Sequence, residues 1–213
     1  MEILVVDHPL VAHKLTVLRD RDTEAPTFRR LADELVTLLA YEATRDIRTD
    51  PVTVETPLAP SNGVRLARPA PFVVPVLRAG IGMLDGMTRL LPTADVGFLG
   101  LARDEESLLA TTYANRIPAT LDGRQVFILD PMLATGGTLE AAIEQVMDRG
   151  AATVTAICLL AAPEGVERLQ KRFGDQVEPT LRVVTAAVDD HLNDVGYIVP
   201  GLGDAGDRLF GHL

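Results

Sequence analysis

A loop between residues 130 and 138 carries the residue types needed to hold a phosphorylated sugar. It reads Asp-Pro-Met-Leu-Ala-Thr-Gly-Gly-Thr and follows the apolar run Val126–Leu129. A Gly-Gly pair where a helix begins lets backbone N–H groups converge on an anion, and the helix dipole also favours negative charge there. Asp130 is placed to accept hydrogen bonds from hydroxyl groups. A phosphate and a diol together indicate a sugar phosphate as the ligand.

Two arginines follow other apolar runs in the same way. Arg78 begins the segment Arg-Ala-Gly-Ile-Gly, and Arg103 follows the next apolar run. A guanidinium group donates to two phosphate oxygens at once, and Gly80 and Gly82 permit close approach of the backbone. An ordinary strand-to-helix turn with a surface arginine explains either segment alone. Together with the loop at 130–138, they favour a ligand with several phosphate groups.

The C-terminal segment is dense in glycine. Gly201, Gly203 and Gly206 match a dinucleotide fingerprint by spacing, but only seven residues follow Gly206. That is too few for the helix, the next strand and the acidic residue of that motif. We interpret the segment as a loop whose backbone donors and acceptors recognise the edge of a nucleobase, with a plain C-terminal turn as the alternative. Asp204 would there hold a hydrated Mg²⁺ ion.

The elements that position these loops alternate between strands and helices. Apolar runs predict five strands, and Ile3–Val6 predicts a short one before them. The five runs are Phe72–Leu77, Val96–Leu101, Val126–Leu129, Val154–Leu160 and Leu181–Val188. Helical periodicity marks residues 27–46, the stretch from Leu139 to Gly150, and 166–173. The pattern predicts an α/β fold with a mainly parallel sheet flanked by helices, in which ligands collect at the carboxyl ends of the strands.

Two segments depart from this alternation. Residues 50–71 predict a β-hairpin excursion from the main sheet, with its turn at Asn62-Gly63. Residues 108–118 lack a clear period and carry Tyr113 among several polar side chains. Either a mobile flap over the site or a β-hairpin arm explains the second segment.

Composition limits the classes of function. The chain has 213 residues, which fits one domain spanning 1–213, and a formal net charge of −10. Without a basic field, binding to long nucleic acid is not expected. The apolar runs are too short to span a membrane, and the N-terminus lacks the pattern of a signal peptide. The lone Cys158 lies in an aliphatic run and predicts a core residue in a cytoplasmic protein.

The motifs as a set closely resemble uracil phosphoribosyltransferase, a branch of the type I phosphoribosyltransferase family. The resemblance rests on the segments 77–80, 103–104, 130–138 and 201–211, and on 41–46 in the N-terminal helix. They occur in the family's order and spacing and cover essentially the whole chain. The general family signature has two acidic residues before the loop; here the second position is Pro131, as is usual in the uracil branch.

The resemblance implies the transfer of a phosphoribosyl group from 5-phosphoribosyl 1-diphosphate (PRPP) to uracil, giving UMP and diphosphate in pyrimidine salvage. It assigns Arg78, Arg103 and Asp204 to catalysis and donor binding. It assigns the donor loop to Asp130, Pro131, Met132, Leu133, Ala134, Thr135, Gly136, Gly137 and Thr138. It assigns uracil binding to Ile198, Gly203, Asp204 and Ala205, and a water-mediated metal contact to Asp204.

The resemblance also implies Mg²⁺ as cofactor, a homodimer or larger homo-oligomer, and GTP as the allosteric effector of some relatives. The N-terminal region and the base-binding loop would form a small hood over the site. The flap around Tyr113 departs from the family pattern, because Ala110 and Ala114 stand where a proline and a second tyrosine are usual. Two alternatives remain: a phosphoribosyltransferase for another nucleobase, and a regulator of the same fold that binds pyrimidine-operon nucleic acid.

Overall fold

The computed structural model describes residues 1–103, 110–175 and 180–211, with the backbone alone at 102, 103 and 110. Strands and helices alternate along most of the chain. The strands are β1 (Glu2–Val5), β2 (Thr49–Glu55), β3 (Pro60–Leu66), β4 (Phe72–Leu77), β5 (Asp95–Val96), β6 (Leu99–Arg103), β7 (Ala110–Asn115), β8 (Gln125–Leu129), β9 (Met132–Leu133), β10 (Thr153–Ala161), β11 (Thr180–Val188), β12 (His191–Leu192) and β13 (Ile198–Val199). The helices are α1 (Pro9–Arg19), α2 (Ala25–Ala43), α3 (Leu84–Leu90), α4 (Gly137–Met147), α5 (Pro163–Phe173) and α6 (Ala205–Phe210), with a 3₁₀ helix at Ala79–Met83.

The main sheet has the strand order β1-β11-β10-β8-β4-β6-β7, with β5 beside β4 and β9 beside β10. Every pairing in it is parallel except β6 with β7, so the predicted mainly parallel α/β fold is confirmed. The chain runs from β4 through β6 to β7 at one edge, returns to β8 in the centre, and continues through β10 to β11. The carboxyl ends of β4, β8 and β6 therefore lie side by side, which is where such a sheet binds ligands.

The central strands form because their side chains are apolar on both faces. All five residues of β8 are buried, and so are eight of the nine in β10. Helices cover the two faces, and the core accordingly divides into two clusters. Phe28, Leu35 and Leu39 of α2 enter one cluster, and Leu139 and Ile143 of α4 enter the other. The helix predicted over residues 27–46 is confirmed as α2, although it ends at Ala43.

The hairpin predicted for residues 50–71 is confirmed, but its predicted turn is wrong. Asn62 and Gly63 lie inside β3, paired with Thr53 and Val52. The turn falls at Thr56–Ala59, where the Thr56 hydroxyl accepts hydrogen bonds from the N–H groups of Leu58 and Ala59. A side chain that satisfies nearby backbone donors closes a turn without the positive φ angles that an Asn-Gly pair supplies.

The described part of the segment after β6 is a strand. Strand β7 runs antiparallel to β6, with a register shift between Gly100 and Leu101. Residues 104–109 of the connection lie outside the described residues, so the flap and the arm both stay predictions. The run predicted as one strand over Val96–Leu101 is broken into β5 and β6 around Gly97.

Two further expectations concern buried and membrane-spanning segments. Cys158 is fully buried, and burial together with the nearby Asp130 carboxylate raises the pKa of its thiol well above the ordinary value. A thiol that keeps its proton is a poor nucleophile, so the interpretation of Cys158 as a core residue is confirmed.

Among the described residues, no helix combines the length and the apolar character that crossing a bilayer requires.

Candidate active site

The loop at 130–138 connects the end of β8 to the start of α4. Gly136 precedes the helix with φ of +80°, a backbone conformation that favours glycine. No side chain caps this helix, and its first intrahelical bond runs from the Glu140 N–H to the Gly136 carbonyl. The N–H groups of the first turn therefore have no acceptor within the helix. Gly136, Thr138 and Leu139 at this end of the helix line a cavity of about 240 Å³ together with Asp130 and Thr135.

Neighbouring strands and helices fix the path of this loop. The Pro131 carbonyl accepts hydrogen bonds from the N–H groups of Leu159 and Leu160, and the Leu133 carbonyl accepts one from Ala162. Gly165 of α5 packs so closely that a β-carbon there would lie 2.3 Å from the Ala134 carbonyl oxygen. The loop is thus held by backbone contacts and not by long, flexible side chains.

Asp130 lies at the floor of the cavity. The residue keeps some exposure, but its carboxyl is surrounded by atoms at the strand ends, and this desolvation raises the pKa of Asp130 to about 6. A weak hydrogen bond of 3.5 Å from the Met132 N–H to Oδ1 acts in the opposite direction. No described side chain donates to this carboxyl. Hydrogen bonds from a ligand to the ionised carboxylate would offset the cost of its desolvation.

Arg78 directly follows β4, which pairs with β8, the strand that precedes Asp130. Both residues line the 240 Å³ cavity and a second one of about 410 Å³ beside it. Arg78 is exposed, and no described acidic side chain pairs with it. It precedes the 3₁₀ helix, which packs on the sheet through Gly80. Its guanidinium is therefore available to an anionic ligand.

A third cavity, of about 240 Å³, forms at the C-terminal loop. Met132 and Ala134 make one wall, and residues 195–198 and 203–205 make the rest. Ile198 is 7 % exposed and presents an apolar surface there. The 410 Å³ cavity is lined by both Arg78 and Asp204 and so connects the cavity at Arg78 with the cavity at Ile198. Ligands in these two cavities would lie next to each other.

Asp204 both caps a helix and lines the cavities. Its Oδ1 accepts a hydrogen bond of 2.8 Å from the Asp207 N–H and so caps α6, while the residue lines two of the cavities. No cluster of three or more His, Cys, Asp or Glu side chains suited to a metal ion occurs among the described residues. Asp130 and Asp204 are the two carboxylates that line the 410 Å³ cavity. Such a small set of ligands fits a hydrated Mg²⁺ that also binds substrate oxygens, and it does not fit an all-protein cage.

The structure brings together most of the residues predicted from the sequence. Pro131 lines the 410 Å³ cavity, and the remaining loop residues through Thr138 line the 240 Å³ cavity at Arg78, except that Gly137 lines none of the three. Instead, Gly137 faces Arg168 on the outer side of the loop. The Arg103 side chain lies outside the described residues, so its predicted role stays a prediction.

Sequence reasoning missed several lining residues. Leu77, Ala79 and Leu101 line the cavities, as does the Val195-Gly196-Tyr197 segment before β13. Position at a strand end was the available signal for Leu77 and Leu101. Tyr113 lines the connecting cavity, as the alternative of a flap over the site predicted. Its place depends on the pairing of β7 with β6.

A sequence model of a known family matches nearly the whole chain. It is the model described as uracil phosphoribosyltransferase, and the match covers residues 5–212. The chain belongs to this family. Proteins named uracil phosphoribosyltransferase from Kineococcus radiotolerans and Streptomyces avermitilis are each 68 % identical over 211 residues, which is 99 % of this chain and 99 % of each relative. The resemblance predicted from the motifs is confirmed.

The fold of this chain is similar to that of solved structures over most of its length. The AQ2163 protein from Aquifex aeolicus matches with a TM-score of 0.90 and 41 % identity, over 98 % of both chains. An adenine phosphoribosyl transferase from Trypanosoma brucei matches with a TM-score of 0.54 at 14 % identity, over 87 % of this chain and 82 % of that one. The second similarity shows a shared fold and carries no information about the base.

Proposed function

We propose that this chain transfers the phosphoribosyl group of PRPP to uracil, giving UMP and diphosphate, and that the three connected cavities are its active site. The observation that carries the proposal is the 410 Å³ cavity, in which Arg78, Asp130 and Asp204 share one space. Anion-binding groups, a diol-binding carboxylate and a base pocket then lie within reach of one substrate pair. Membership of the uracil phosphoribosyltransferase family supports uracil as the base.

The donor would bind across the carboxyl ends of the sheet. The 5′-phosphate fits the N-terminus of α4, where unbonded N–H groups and the helix dipole favour an anion. Asp130 would accept hydrogen bonds from the two ribose hydroxyls. Arg78 would donate to the diphosphate, and we expect Arg103 to do the same from the end of β6. Hydrogen bonds with a charged partner contribute roughly 1.5–3 kcal/mol each, so the donor is held mainly by such contacts.

Catalysis by these residues requires no nucleophilic side chain. The bond between the anomeric carbon and the diphosphate oxygen breaks, and its electron pair leaves with the diphosphate. A uracil nitrogen forms the new bond from the opposite face and loses its N–H proton to the departing diphosphate. Negative charge grows on the departing diphosphate, where Arg78 stabilises it. The pocket at Ile198 and residues 203–205 orients the uracil ring for attack. Alignment and charge stabilisation together account for the absence of a nucleophile–base pair from the described site.

Mg²⁺ is the cofactor that this donor set fits. Asp204 would hold it through water, together with the oxygens of the donor, and the bound ion would neutralise part of the diphosphate charge. The capping bond from Asp207 occupies Oδ1 and leaves Oδ2 for the hydration shell. The other assignments rest on family resemblance: a homodimer or larger homo-oligomer, GTP as an effector, and a single domain over 1–213 with a small hood. Cysteine usage supports the cytoplasm as the location.

The decisive assay is formation of UMP from uracil and PRPP, with and without Mg²⁺. We expect UMP with Mg²⁺ and a large loss of activity in a metal chelator. A panel containing hypoxanthine and guanine tests the choice of base, and a preference for either would overturn uracil as the substrate. If no base yields a nucleotide while pyrimidine-operon RNA binds tightly at physiological salt, the regulator alternative replaces the enzyme.

A further inference from the structure

Arg19 and Asp189 form an ion pair beneath the loop that carries the base pocket, and they line none of the three cavities. Arg19 is the last residue of α1, and Asp189 directly follows β11. Nη1 of Arg19 donates to Oδ2 of Asp189 at 2.7 Å, and Nη2 donates to Oδ1 at 2.5 Å. The carboxylate side chain is 4 % exposed and the arginine side chain 24 %. The pair is therefore bidentate and mostly shielded from water, which strengthens it and fixes its geometry.

The same two side chains hold both polar groups of one glycine in the loop. Nη1 of Arg19 also donates to the Gly201 carbonyl at 2.8 Å, and the Gly201 N–H donates to Oδ2 of Asp189 at 2.8 Å. Gly201 has φ of +64°, and a β-carbon there would lie 2.1 Å from the Ile198 carbonyl oxygen. The ion pair thus fixes a backbone conformation that other residues cannot adopt without strain.

Gly201 stands between the two walls of the base pocket. Ile198 precedes it and residues 203–205 follow it, and both line the same 240 Å³ cavity. Any shift of Gly201 changes the separation of these walls. The side of the loop nearer α6 has an anchor of its own, because Arg208 donates to the carbonyls of Leu202 and Leu18. Loss of the Arg19 contact should therefore loosen the pocket without detaching α6.

We propose that the Arg19–Asp189 pair is a positioning element for base recognition: it sets the separation of the pocket walls and so the affinity for uracil, without touching the base. The inference rests on the proposed function, since it concerns the base subsite. It assigns no role in binding PRPP, whose loop is held by β10 and α5 through separate backbone contacts. A change in the pair should therefore affect the two substrates unequally.

The test compares Arg19→Met with the double variant Arg19→Met/Asp189→Asn. The single variant leaves a buried carboxylate without its partner, which destabilises the fold for reasons unrelated to the pocket. The double variant removes that charge, and the amide oxygen introduced at position 189 can still accept from the Gly201 N–H. In both variants, the Gly201 carbonyl loses the hydrogen bond that Arg19 donates. We expect the double variant to regain thermal stability, while the KM for uracil stays raised by about fivefold or more and the KM for PRPP stays near the wild-type value.

Arg182→Met is the matched control. Arg182 lies near the opposite end of β11, its side chain is 21 % exposed, and it pairs with Glu2 and Asp46. We expect both of its KM values to match the wild type. A double variant with uracil KM below about fivefold of wild type, or with both KM values raised equally, overturns the inference. Failure of the wild-type protein to form UMP overturns the proposed function and the inference together, so the two failures are distinguishable.

Discussion

Gly80 and Leu129 lie in backbone contact across two strand ends: a β-carbon on Gly80 would stand 2.3 Å from the Leu129 carbonyl oxygen. This contact seats the 3₁₀ helix against the end of β8. Arg78, just before that helix, and Asp130, just after β8, consequently line the same cavities. The sequence predicted that Gly80 and Gly82 allow close approach to a ligand. The structure shows that both approach protein atoms, Gly82 meeting the side chain of Leu209.

Gly80→Ala should therefore increase the separation between Arg78 and Asp130 in the proposed PRPP site. The added methyl meets rigid backbone, and we expect the free energy of unfolding to fall by about 1–3 kcal/mol. The KM for PRPP should rise, because Arg78 moves away from Asp130. The control is Gly63→Ala in β3, where a β-carbon meets nothing within 4 Å. Denaturant unfolding and steady-state kinetics measure both effects, and equal behaviour of the two variants would contradict the assigned contact.

Arg78→Ala should lower kcat by roughly 100-fold, the usual effect of removing one donor to a developing negative charge. The fold should be unaffected, since Arg78 is exposed and has no acidic partner among the described residues. Arg89→Ala is the control: Arg89 is also exposed but pairs with Asp33 in the structure. Loss of that surface pair should change stability little and leave kcat intact. A fully active Arg78→Ala enzyme would remove Arg78 from the mechanism.

Arg103→Ala should lower turnover by about tenfold or more if Arg103 contacts the diphosphate as the sequence predicts. The structure describes only the backbone of this residue, at the end of β6. A double variant with Arg78→Ala tests whether the two arginines act on one group, because partners in one site lose activity non-additively. Strictly additive losses would place Arg103 on a different part of the donor.

Asp130→Asn should stabilise the protein while weakening donor binding. Folding raises the pKa of this carboxyl from its ordinary value of 3.8 to about 6, so the folded state holds the proton more tightly than the unfolded state. The resulting destabilisation is fully present above pH 6 and is relieved as the pH falls from 6 towards 4. At pH 7.5 the neutral amide should therefore raise stability by roughly 3 kcal/mol. Thermal unfolding at pH 7.5 and pH 5 measures this, and a destabilised variant would show that the carboxylate is not desolvated.

The same titration should appear in substrate binding. Protonation of Asp130 below pH 6 removes an acceptor for the ribose hydroxyls, so the KM for PRPP should rise as the pH falls through 6. PRPP itself also takes up protons in this range, and the Asp130→Asn variant, which keeps only that contribution, is the control. Identical pH profiles of KM for the two proteins would place the diol elsewhere.

Asp204→Asn should weaken Mg²⁺ binding while it keeps the cap of α6. An amide oxygen still accepts the hydrogen bond from Asp207 that caps α6, so the variant should fold with normal stability. It no longer offers a negative charge to a hydrated cation, and the Mg²⁺ concentration for half-maximal activity should rise by roughly tenfold. Asp204→Ala, which loses the cap as well, should also cost about 1 kcal/mol of stability. An unchanged Mg²⁺ requirement in both variants would exclude Asp204 from the metal site.

The sequence by itself determined the features that depend on residues close together in the chain. An apolar strand, an uncapped helix start and glycine at positive φ are local properties, so the loop at 130–138 and the parallel sheet could both be predicted. The choice of uracil came from resemblance and not from chemistry that the residues display. The turn at Thr56 was missed because an Asn-Gly pair is the stronger local signal, while a threonine side chain closed the turn instead.

Only the tertiary structure decided which distant residues meet. Arg19 and Asp189 are 170 positions apart, and Arg19 reaches Gly201 across 182. Gly165 fits against Ala134, and Gly80 against Leu129, through backbone contacts that no period or motif encodes. Such contacts depend on how helices settle on the sheet, which is determined by the packing of the whole core. The sequence therefore predicted the groups that bind substrate, and the fold determined the supports that hold them in place.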